Sequence, residues 1–380
     1  MPKKSPVSEL SDLAESGLLR RLRETTPLEG PRVLRDGREL WNFASNDYLG
    51  LASHPAIREA FHEGLDRFGH GAGASRLITG SQPPHHRFEE QLAAAKGSEA
   101  ALLFSSGFAT AAGVIPALVG KDDFIVLDKL CHACLIDGAR LSGATLRVFP
   151  HNDVAKLGRL LAGIRDKHAD ARILILTESV FSMDGDLCPL EEILELKERH
   201  EALLLLDEAH GFGVLGPTGM GLAEELDVQD RIDFQMGTLS KAAGLSGAYI
   251  ACPAVWHDLL VNRARSFIFS TAPSPALAHA ASAALGVIHS DEGADLRNRL
   301  SSKISILRPD GPSTPIVPII LGSSAAALEA SEALADEGFL VPAIRYPTVP
   351  RGTERLRISL SADHPTDAVE ALAARLTRLG

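Results

Sequence analysis

The sequence has 380 residues, of which 45% are hydrophobic and 23% are charged, and its formal net charge at pH 7 is −11. This acidic balance argues against non-specific binding to nucleic acid or to a membrane surface, and no apolar run approaches the roughly 18–20 residues of a membrane span. The four cysteines, Cys131, Cys134, Cys188 and Cys252, do not follow a disulfide-scaffold pattern. The segment MPKKSPVSEL contains no apolar signal region, so we expect a cytoplasmic protein without nucleic-acid or membrane partners.

The N-terminal part is charged and is predicted to form a helix and then a hairpin. We take residues 1–45 as an arm that packs on a smaller C-terminal lobe. Residues 46–280 alternate apolar strands with stretches of helical spacing, which is typical of a mainly parallel sheet covered by helices on both faces. The predicted strands are Ala101–Phe104, Phe124–Asp128, Thr145–Phe149, Arg172–Glu178, Ala202–Asp207, Asp233–Met236 and Gly247–Cys252. We therefore predict one large α/β domain.

The first polar loop of this domain follows the strand at Ala101–Phe104. Ser105–Thr110 contains Gly107 and opens an alanine-rich helical stretch. Free backbone N–H groups at such a turn, together with the helix N-terminus, favour an anion such as phosphate. Small residues at a tight turn are equally often structural, so this loop is weak evidence alone. It is not a Walker loop, because no Gly-Lys-Ser/Thr follows.

The next loop contains His132 between Cys131 and Cys134. An imidazole just after a strand can stack on an aromatic ligand. The two cysteines could instead form a redox pair or half of a zinc site, but there is no second cysteine pair. The simplest interpretation is that they are small buried side chains, and a single histidine is more often structural than functional.

Ser182, Asp207 and His210 could be taken for a hydrolase triad. The chain lacks a Gly-x-Ser-x-Gly elbow, however. Ser182 lies in the segment Phe181–Asp186, which suits a loop that closes over a ligand. His210 lies close enough to Asp207 to share a crevice with it, or it could be a hydrogen-bonded structural residue.

Asp207 and Lys241 are the most informative residues of the sequence. Asp207 ends a strand of four leucines, and Lys241 follows the apolar stretch Asp233–Met236. Interior strands can hold an amine and a carboxylate rigidly in one crevice. Pyridoxal phosphate needs this pair, because the lysine forms an imine with the cofactor aldehyde and the carboxylate keeps the pyridine nitrogen protonated.

The pattern changes after about residue 280, and we assign residues 281–380 to a smaller C-terminal domain. Its predicted strands are Thr314–Leu321, Phe339–Ile344 and Arg355–Leu360. The last helix is predicted to begin at Thr366, directly after a proline. Its apolar face consists of Val369, Leu372, Leu376 and Leu379.

Seven segments together resemble the α-oxoamine synthases, which are fold-type I pyridoxal phosphate enzymes that condense an amino acid with an acyl thioester and release carbon dioxide. The resemblance runs from about residue 18 to the C-terminus, and the segments in combination are highly specific. They are SNDYLG at 45–50, GSQ at 80–82, SGFA at 106–109, HA at 132–133, FSMDGD at 181–186, DEAH at 207–210 and TLSK at 238–241. The implied fold is a large domain with a mainly parallel sheet and a smaller C-terminal α/β lobe.

The resemblance also implies a role for each site residue. Lys241, Asp207, His132 and His210 are the expected catalytic residues: Lys241 holds the cofactor and removes the α-proton, Asp207 pairs with the ring nitrogen, and His132 stacks on the ring. Ser182 and His210 are expected near the phenolic oxygen. The expected phosphate contacts are Gly107, Phe108, Thr238, Ser240 and, from the neighbouring subunit of an obligate homodimer, Thr271.

The segment Ala343–Pro350 resembles the biotin-pathway branch of the family, whose members condense L-alanine with a pimeloyl thioester carried by coenzyme A or by an acyl carrier protein. In that branch the arginine that corresponds to Arg345 pairs with the amino-acid carboxylate. The resemblance therefore implies that Asn46, Arg345 and Thr348 bind substrate. Tyr346 departs from the proline that is usual there. Arg20 aligns best with an arginine that holds the distal carboxylate of the acyl donor or its carrier, with Arg21 and Arg23 as close rivals.

Two alternatives stay open at this point. One is another α-oxoamine synthase, such as a glycine C-acetyltransferase (2-amino-3-ketobutyrate ligase), against which Arg345 and Thr348 argue. The chain is shorter than the serine palmitoyltransferases and 5-aminolevulinate synthases of the family. The other alternative is a catalytically silent fold-type I scaffold subunit, against which the joint presence of Lys241, Asp207 and His132 argues.

Overall fold

The computed structural model describes residues 5–378. In chain order its strands are β1 (Thr25–Pro27), β2 (Arg32–Arg35), β3 (Arg38–Asn42), β4 (Ala100–Phe104), β5 (Phe124–Asp128), β6 (Thr145–Phe149), β7 (Ile173–Glu178), β8 (Leu203–Asp207), β9 (Phe234–Thr238), β10 (Ala248–Cys252), β11 (Ile316–Ile320), β12 (Phe339–Leu340), β13 (Ala343–Ile344) and β14 (Arg355–Ser359).

The helices, again in chain order, are α1 (Pro6–Glu15), α2 (Pro55–Phe68), α3 (Pro83–Ala95), α4 (Gly107–Leu118), α5 (Ala133–Ser142), α6 (Val154–Arg165), α7 (Leu190–Arg199), α8 (Leu222–Glu225), α9 (Ala254–Arg263), α10 (Arg265–Ile268), α11 (Pro275–His289), α12 (Asp291–Leu307), α13 (Ser324–Asp336) and α14 (Thr366–Leu376). Short 3₁₀ turns lie at Leu51–Ser53 and Gln229–Arg231, and a π-helical turn lies at Arg76–Gly80.

The chain divides into two compact units. Unit 1 consists of the described parts of Met1–Asn46 and Arg299–Gly380, together with Met183–Gly185. Unit 2 consists of Asp47–Ser182 and Asp186–Asn298. The units therefore change at Asn46 and Asn298, whereas the domain boundaries predicted from the sequence follow residues 45 and 280.

Unit 2 contains a sheet whose strands, among the described residues, follow the order β4-β10-β9-β8-β7-β5-β6. Strand β10 is antiparallel to both of its neighbours, and the other pairs are parallel. Every residue of β5, β7, β9 and β10 is buried, which explains why their sequences are mainly apolar. The prediction of a mainly parallel sheet is thus confirmed.

The parallel strands place their carboxyl ends at one edge of this sheet. Asp128 ends β5, Glu178 ends β7, Asp207 ends β8 and Thr238 ends β9. Each of the four is buried. Polar side chains are therefore gathered where otherwise apolar strands stop.

Unit 1 contains two smaller sheets within the described residues, ordered β1-β2-β3-β12 and β11-β14-β13. The N-terminal hairpin continues through β3, which pairs in parallel with β12 from the C-terminal part of the chain. The prediction of one strand at Phe339–Ile344 was wrong, because β12 and β13 belong to different sheets. Pro342 lies between them and has no N–H to continue a ladder, and its carbonyl instead accepts a hydrogen bond from Arg357 N at 3.1 Å.

The last helix begins at Thr366, as predicted. Val369 and Leu372 of its predicted apolar face are buried, Leu376 is half-buried, and Leu379 lies outside the described residues. No helix within residues 5–378 is long and apolar enough to cross a membrane. The same part of the chain contains no group of three or more His, Cys, Asp or Glu side chains arranged to hold a metal ion, and Cys131 and Cys134 are buried, free thiols.

Candidate active site

A pocket of about 180 Å³ lies at the carboxyl edge of the parallel strands in unit 2. It is lined by Gly107, Phe108, His132, Cys134, Glu178, Asp207, Ala209, His210, Met236, Thr238, Ser240 and Lys241. The structure therefore brings eight of the residues selected from the sequence into one pocket. They come from four loops that are widely separated along the chain.

Asp207 and Lys241 provide the opposite charges of this pocket. Asp207 is buried, and its Oδ1 accepts a hydrogen bond from Ala209 N at 2.9 Å. Burial raises the pKa of Asp207, and the positive charge of Lys241 and the Ala209 N–H act in the opposite direction. A cation next to Asp207 thus favours the ionised carboxylate.

Lys241 is half-buried and is the first member of a chain of hydrogen bonds. Its Nζ lies 2.8 Å from His210 Nε2, and His210 Nδ1 lies 2.6 Å from the hydroxyl oxygen of Tyr48. Tyr48 is completely buried. The imidazole of His210 is consequently held between a phenol and the lysine amine, where it can exchange a proton with either.

His132 is held at the N-terminus of α5. Its Nδ1 accepts a hydrogen bond from Cys134 N at 3.2 Å and lies 2.9 Å from Cys134 Sγ. Burial raises the pKa of the Cys134 thiol, so the sulfur stays protonated, and partial burial lowers the pKa of His132. Because a backbone N–H can only donate, Nδ1 is the acceptor and the neutral imidazole carries its proton on Nε2.

The N-terminus of α4 makes this pocket suited to an anion. Helix α4 begins at Gly107 after its N-cap Ser106, whose side chain accepts a hydrogen bond from Ala109 N at 3.1 Å. The first N–H groups of a helix have no partner within it, and the helix dipole favours negative charge there. The hydroxyl oxygens of Thr238 and Ser240 lie 2.7 Å apart in the same pocket.

Ser182 and Thr271 are not among the residues that line this pocket. Ser182 is buried in the loop after β7. Thr271 is exposed and forms an isolated antiparallel bridge with Ser75. In this chain by itself, neither residue contributes to the pocket wall.

The substrate-binding residues predicted from the sequence lie in unit 1, in two groups. Arg20, Arg345 and Thr348 line a pocket of about 170 Å³ together with Leu18 and Tyr346. Within it, Arg20 Nη2 donates to Thr348 Oγ1 at 3.3 Å, and Arg345 donates to the carbonyl of Gly17. Arg21 and Arg23 do not line this pocket.

Asn46 belongs to the second group. Its Oδ1 accepts a hydrogen bond at 3.1 Å from Nη1 of Arg357, a buried residue of β14. The same Nη1 donates to Ser359 Oγ at 2.7 Å. The arginine that contacts Asn46 is thus Arg357, whereas the sequence had grouped Asn46 with Arg345.

Sequence reasoning missed Glu178, Cys134 and Arg357. Glu178 and Cys134 line the pocket beside Asp207 and His132. A charged residue at the end of the predicted strand Arg172–Glu178 was the available signal for Glu178. Arg355 and Arg357 are both buried in strand β14. Because charged side chains are rarely buried, a charged residue within a predicted strand indicates a candidate site residue.

Comparisons with known proteins agree on one relationship. The profile of the family described as aminotransferase class I and II matches residues 38–376. The chain is 47% identical over 386 residues to the 8-amino-7-oxononanoate synthase of Geobacter sulfurreducens, an alignment that covers 99% of this chain and 98% of that protein.

The chain also superposes on two solved structures. A serine palmitoyltransferase from S. paucimobilis with a bound PLP–myriocin aldimine superposes with a TM-score of 0.92 at 27% identity, covering 98% of this chain and 96% of that chain. An 8-amino-7-oxononanoate synthase from Francisella tularensis superposes with a TM-score of 0.76 at 27% identity, covering 88% and 96%.

Proposed function

The chain belongs to the 8-amino-7-oxononanoate synthases within the aminotransferase class I and II family, and from this premise we propose that it condenses L-alanine with a pimeloyl thioester in biotin biosynthesis. It is a pyridoxal phosphate-dependent C-acyltransferase, and the predicted fold-type I architecture is confirmed. The observation that supports the proposed reaction best is the single pocket lined by Lys241, Asp207 and His132.

The residues of the pocket fit this cofactor. When bound, pyridoxal phosphate supplies an aldehyde that captures an amino group and a ring that withdraws electrons from the adjacent carbon. Lys241 is the amine that would hold it, and Asp207 is the carboxylate that would pair with a protonated ring nitrogen. Gly107 and Phe108 offer N–H groups to the phosphate, while the hydroxyls of Thr238 and Ser240 lie in the same pocket.

Proton transfer is assigned to Lys241 and its neighbours. The amine takes the α-proton of L-alanine and returns a proton at the end of the reaction. His210, 2.8 Å from this amine, supports its change of protonation state, and Tyr48 orients the imidazole. His132 presents Nε2–H and a flat ring surface to the cofactor.

Two groups in unit 1 are proposed to bind the two carboxylates of the substrates. Asn46 and Arg357 are assigned to the carboxylate of L-alanine, because the guanidinium is buried, already ordered by Ser359 and matched to a planar anion. Arg345 and Arg20 are assigned with Thr348 to the distal carboxylate of the pimeloyl group, since they share a pocket. This modifies the sequence-based assignment of Arg345.

We further propose a cytoplasmic homodimer in which Thr271 contacts the cofactor phosphate of the neighbouring subunit. The segment around Thr271 is exposed in the single chain, and Phe269 beside it is 70% exposed. Ser182 is proposed to lie near the phenolic oxygen of the cofactor. The acyl donor is attached to coenzyme A or to an acyl carrier protein.

The test is a comparison of substrates with purified, cofactor-loaded protein. L-Alanine and glycine are each combined with pimeloyl-CoA, with pimeloyl-acyl carrier protein and with acetyl-CoA, and the products are measured by mass spectrometry. The proposal expects fastest turnover with L-alanine and a pimeloyl thioester. Faster turnover of glycine with acetyl-CoA would indicate a glycine C-acetyltransferase, and protein that neither binds cofactor nor forms product would indicate a scaffold subunit.

A further inference from the structure

Glu178 is a buried carboxyl group in the cofactor pocket to which the mechanism above gives no task. It is 2% exposed and ends β7, opposite Asp207 in the register of the neighbouring strand β8. Its Oε1 accepts a hydrogen bond from the backbone N–H of His132. This contact joins the end of β7 to the loop between β5 and α5.

The hydrogen bond completes the fixation of His132. Helix α5 begins directly after this residue, and Cys134 N already donates to the ring nitrogen Nδ1. Glu178 accepts a hydrogen bond from the backbone N–H of His132. The imidazole ring is thus held by Cys134 N, and the backbone of the same residue is held by Glu178. A histidine that must lie flat against a ring needs both restraints, because a rotation at either point tilts the imidazole.

The charges around Glu178 argue that it acts as a hydrogen-bond acceptor and not as a negative charge. Burial and the charges of Asp207 and Asp128 raise the pKa of Glu178, Lys241 and the His132 N–H lower it, and the resulting pKa is about 8. The other titratable groups around it are the thiols of Cys131 and Cys134 and the ring of His132. The raised pKa favours the protonated carboxyl group, whose carbonyl oxygen still accepts a hydrogen bond.

We propose that Glu178 is a positioning residue, which holds His132 against the cofactor ring through a neutral acceptor and leaves Asp207 as the carboxylate that faces the ring nitrogen. The inference rests on the proposed function, since it assumes that this pocket binds pyridoxal phosphate. It adds a residue that acts on the cofactor through His132.

A pair of substitutions separates the acceptor from the charge. Glu178→Gln keeps the length and the acceptor in a group that cannot ionise, whereas Glu178→Asp keeps an ionisable carboxyl group and withdraws it by one methylene. We expect kcat/KM for L-alanine to stay within about threefold of the parent in Glu178→Gln and to fall about tenfold or more in Glu178→Asp. Combined with His132→Ala, either substitution should add less than about threefold to the loss from His132→Ala alone.

Hydrogen exchange gives a second readout that needs neither substrate nor cofactor. In the cofactor-free protein, the amide of His132 should stay protected in Glu178→Gln and become unprotected in Glu178→Asp, measured by mass spectrometry on peptides that span residues 129–135. The induced circular dichroism of the bound cofactor should change in the same variant only. If alanine is not the substrate but the exchange pattern holds, the proposed function fails and the role of Glu178 stands.

The opposite pattern overturns the proposal. A loss in Glu178→Gln as large as that in Glu178→Asp would mean that the charge itself acts on the ring. Effects that multiply with those of His132→Ala would mean that Glu178 acts independently of His132. Thermal unfolding of each variant shows whether it is folded, and the Gln variant remains informative even if the Asp variant is not.

Discussion

Asp207 is a carboxylate that folding removes from water at considerable cost. Asp207 is 5% exposed, and an ionised group in such surroundings needs a partner charge or several hydrogen bonds. Ala209 N supplies one hydrogen bond, and Lys241 supplies positive charge in the same pocket. The carboxylate of Asp207 is therefore suited to a cationic group in the pocket, such as a protonated pyridine ring.

Asp207→Asn removes this charge and keeps the acceptor for Ala209 N. We expect the exchange of the α-proton of L-alanine in D₂O to slow by about 100-fold or more, near 3 kcal/mol, because the ring loses the charge that keeps its nitrogen protonated. Proton NMR measures the exchange. Asp122→Asn, a change at an exposed position, is the control, and exchange within threefold of the parent would show that another group protonates the ring.

Lys241→Ala tests which amine holds the cofactor. The variant should still bind pyridoxal phosphate, through Asp207 and the phosphate contacts, but borohydride should fix no cofactor to the protein. The measurement is peptide mapping after reduction, with Lys129→Ala as a control at an exposed lysine. Recovery of the cofactor on a different lysine peptide would contradict the assignment.

Arg357 and Arg345 can be separated by their effects on the two substrates. Arg357→Lys keeps a charge but loses the planar pair of donors, so we expect KM for L-alanine to rise about 30-fold or more, ~2 kcal/mol. Arg345→Ala should raise KM for the pimeloyl thioester and leave that for L-alanine within about threefold. Steady-state kinetics with each substrate varied in turn provide the check. If Arg345→Ala instead raises KM for L-alanine, the sequence-based assignment of Arg345 to the amino-acid carboxylate is the correct one.

The elements around the pocket are held together at their ends by His151. Its Nδ1 lies 3.1 Å from Asp128 at the end of β5, and its Nε2 lies 2.7 Å from Asp186 in the loop after β7. Asp128 also accepts hydrogen bonds from Leu130 N and Asn152 N, both at 2.8 Å. An imidazolium between two carboxylates thus connects the loop that leads to His132 with the loop that follows Ser182.

The charge of His151 makes this connection dependent on pH. Half-burial lowers the pKa of His151, but the hydrogen bonds and charges of Asp128 and Asp186 outweigh it and raise the pKa to about 10, from an ordinary 6.5. Because the folded pKa exceeds the unfolded one, the stabilisation is complete below pH 6.5 and is lost as the pH rises to about 10. We expect His151→Gln to lower the Tm by a few degrees at pH 6 and by much less at pH 10.5, measured by calorimetry. An equal difference at both pH values would contradict a role for the imidazolium.

The sequence predicts the strands and helices that depend on a local pattern of residues. It does not predict contacts that depend on which strands are neighbours in the sheet. Asp207 and Lys241 were recognisable because each follows a strand or stretch that is mainly apolar. Glu178 also ends an apolar strand, but its position beside Asp207 depends on β7 lying next to β8 in the sheet, which the sequence does not indicate. The contact of Tyr48 with His210 joins residues 162 positions apart, and no local pattern indicates it.

Among the exposed apolar side chains of the described residues, one group in unit 2 lies on two adjacent segments. Ile78 is 76% exposed and Leu77 is 50% exposed in the π-helical turn, and Phe269 is 70% exposed. The bridge between Ser75 and Thr271 brings these two segments together. Side chains of this size gain about 1.5–3 kcal/mol each when they are buried completely, so a second copy of the chain that covers them would be stabilised by the contact.

A homodimer with shared sites predicts complementation between two inactive variants. Lys241→Ala removes the lysine of a subunit's own site, and Thr271→Asp places a negative charge against the phosphate of the other subunit's site. In a heterodimer of the two, both defects fall in one site and the other site is intact, so differently tagged, co-purified heterodimers should show about half of the parent activity. The two variant homodimers are the baselines. If Thr271 serves its own subunit instead, each site of the heterodimer carries one defect and activity stays at the baseline, which would remove the main support for a site completed by the partner.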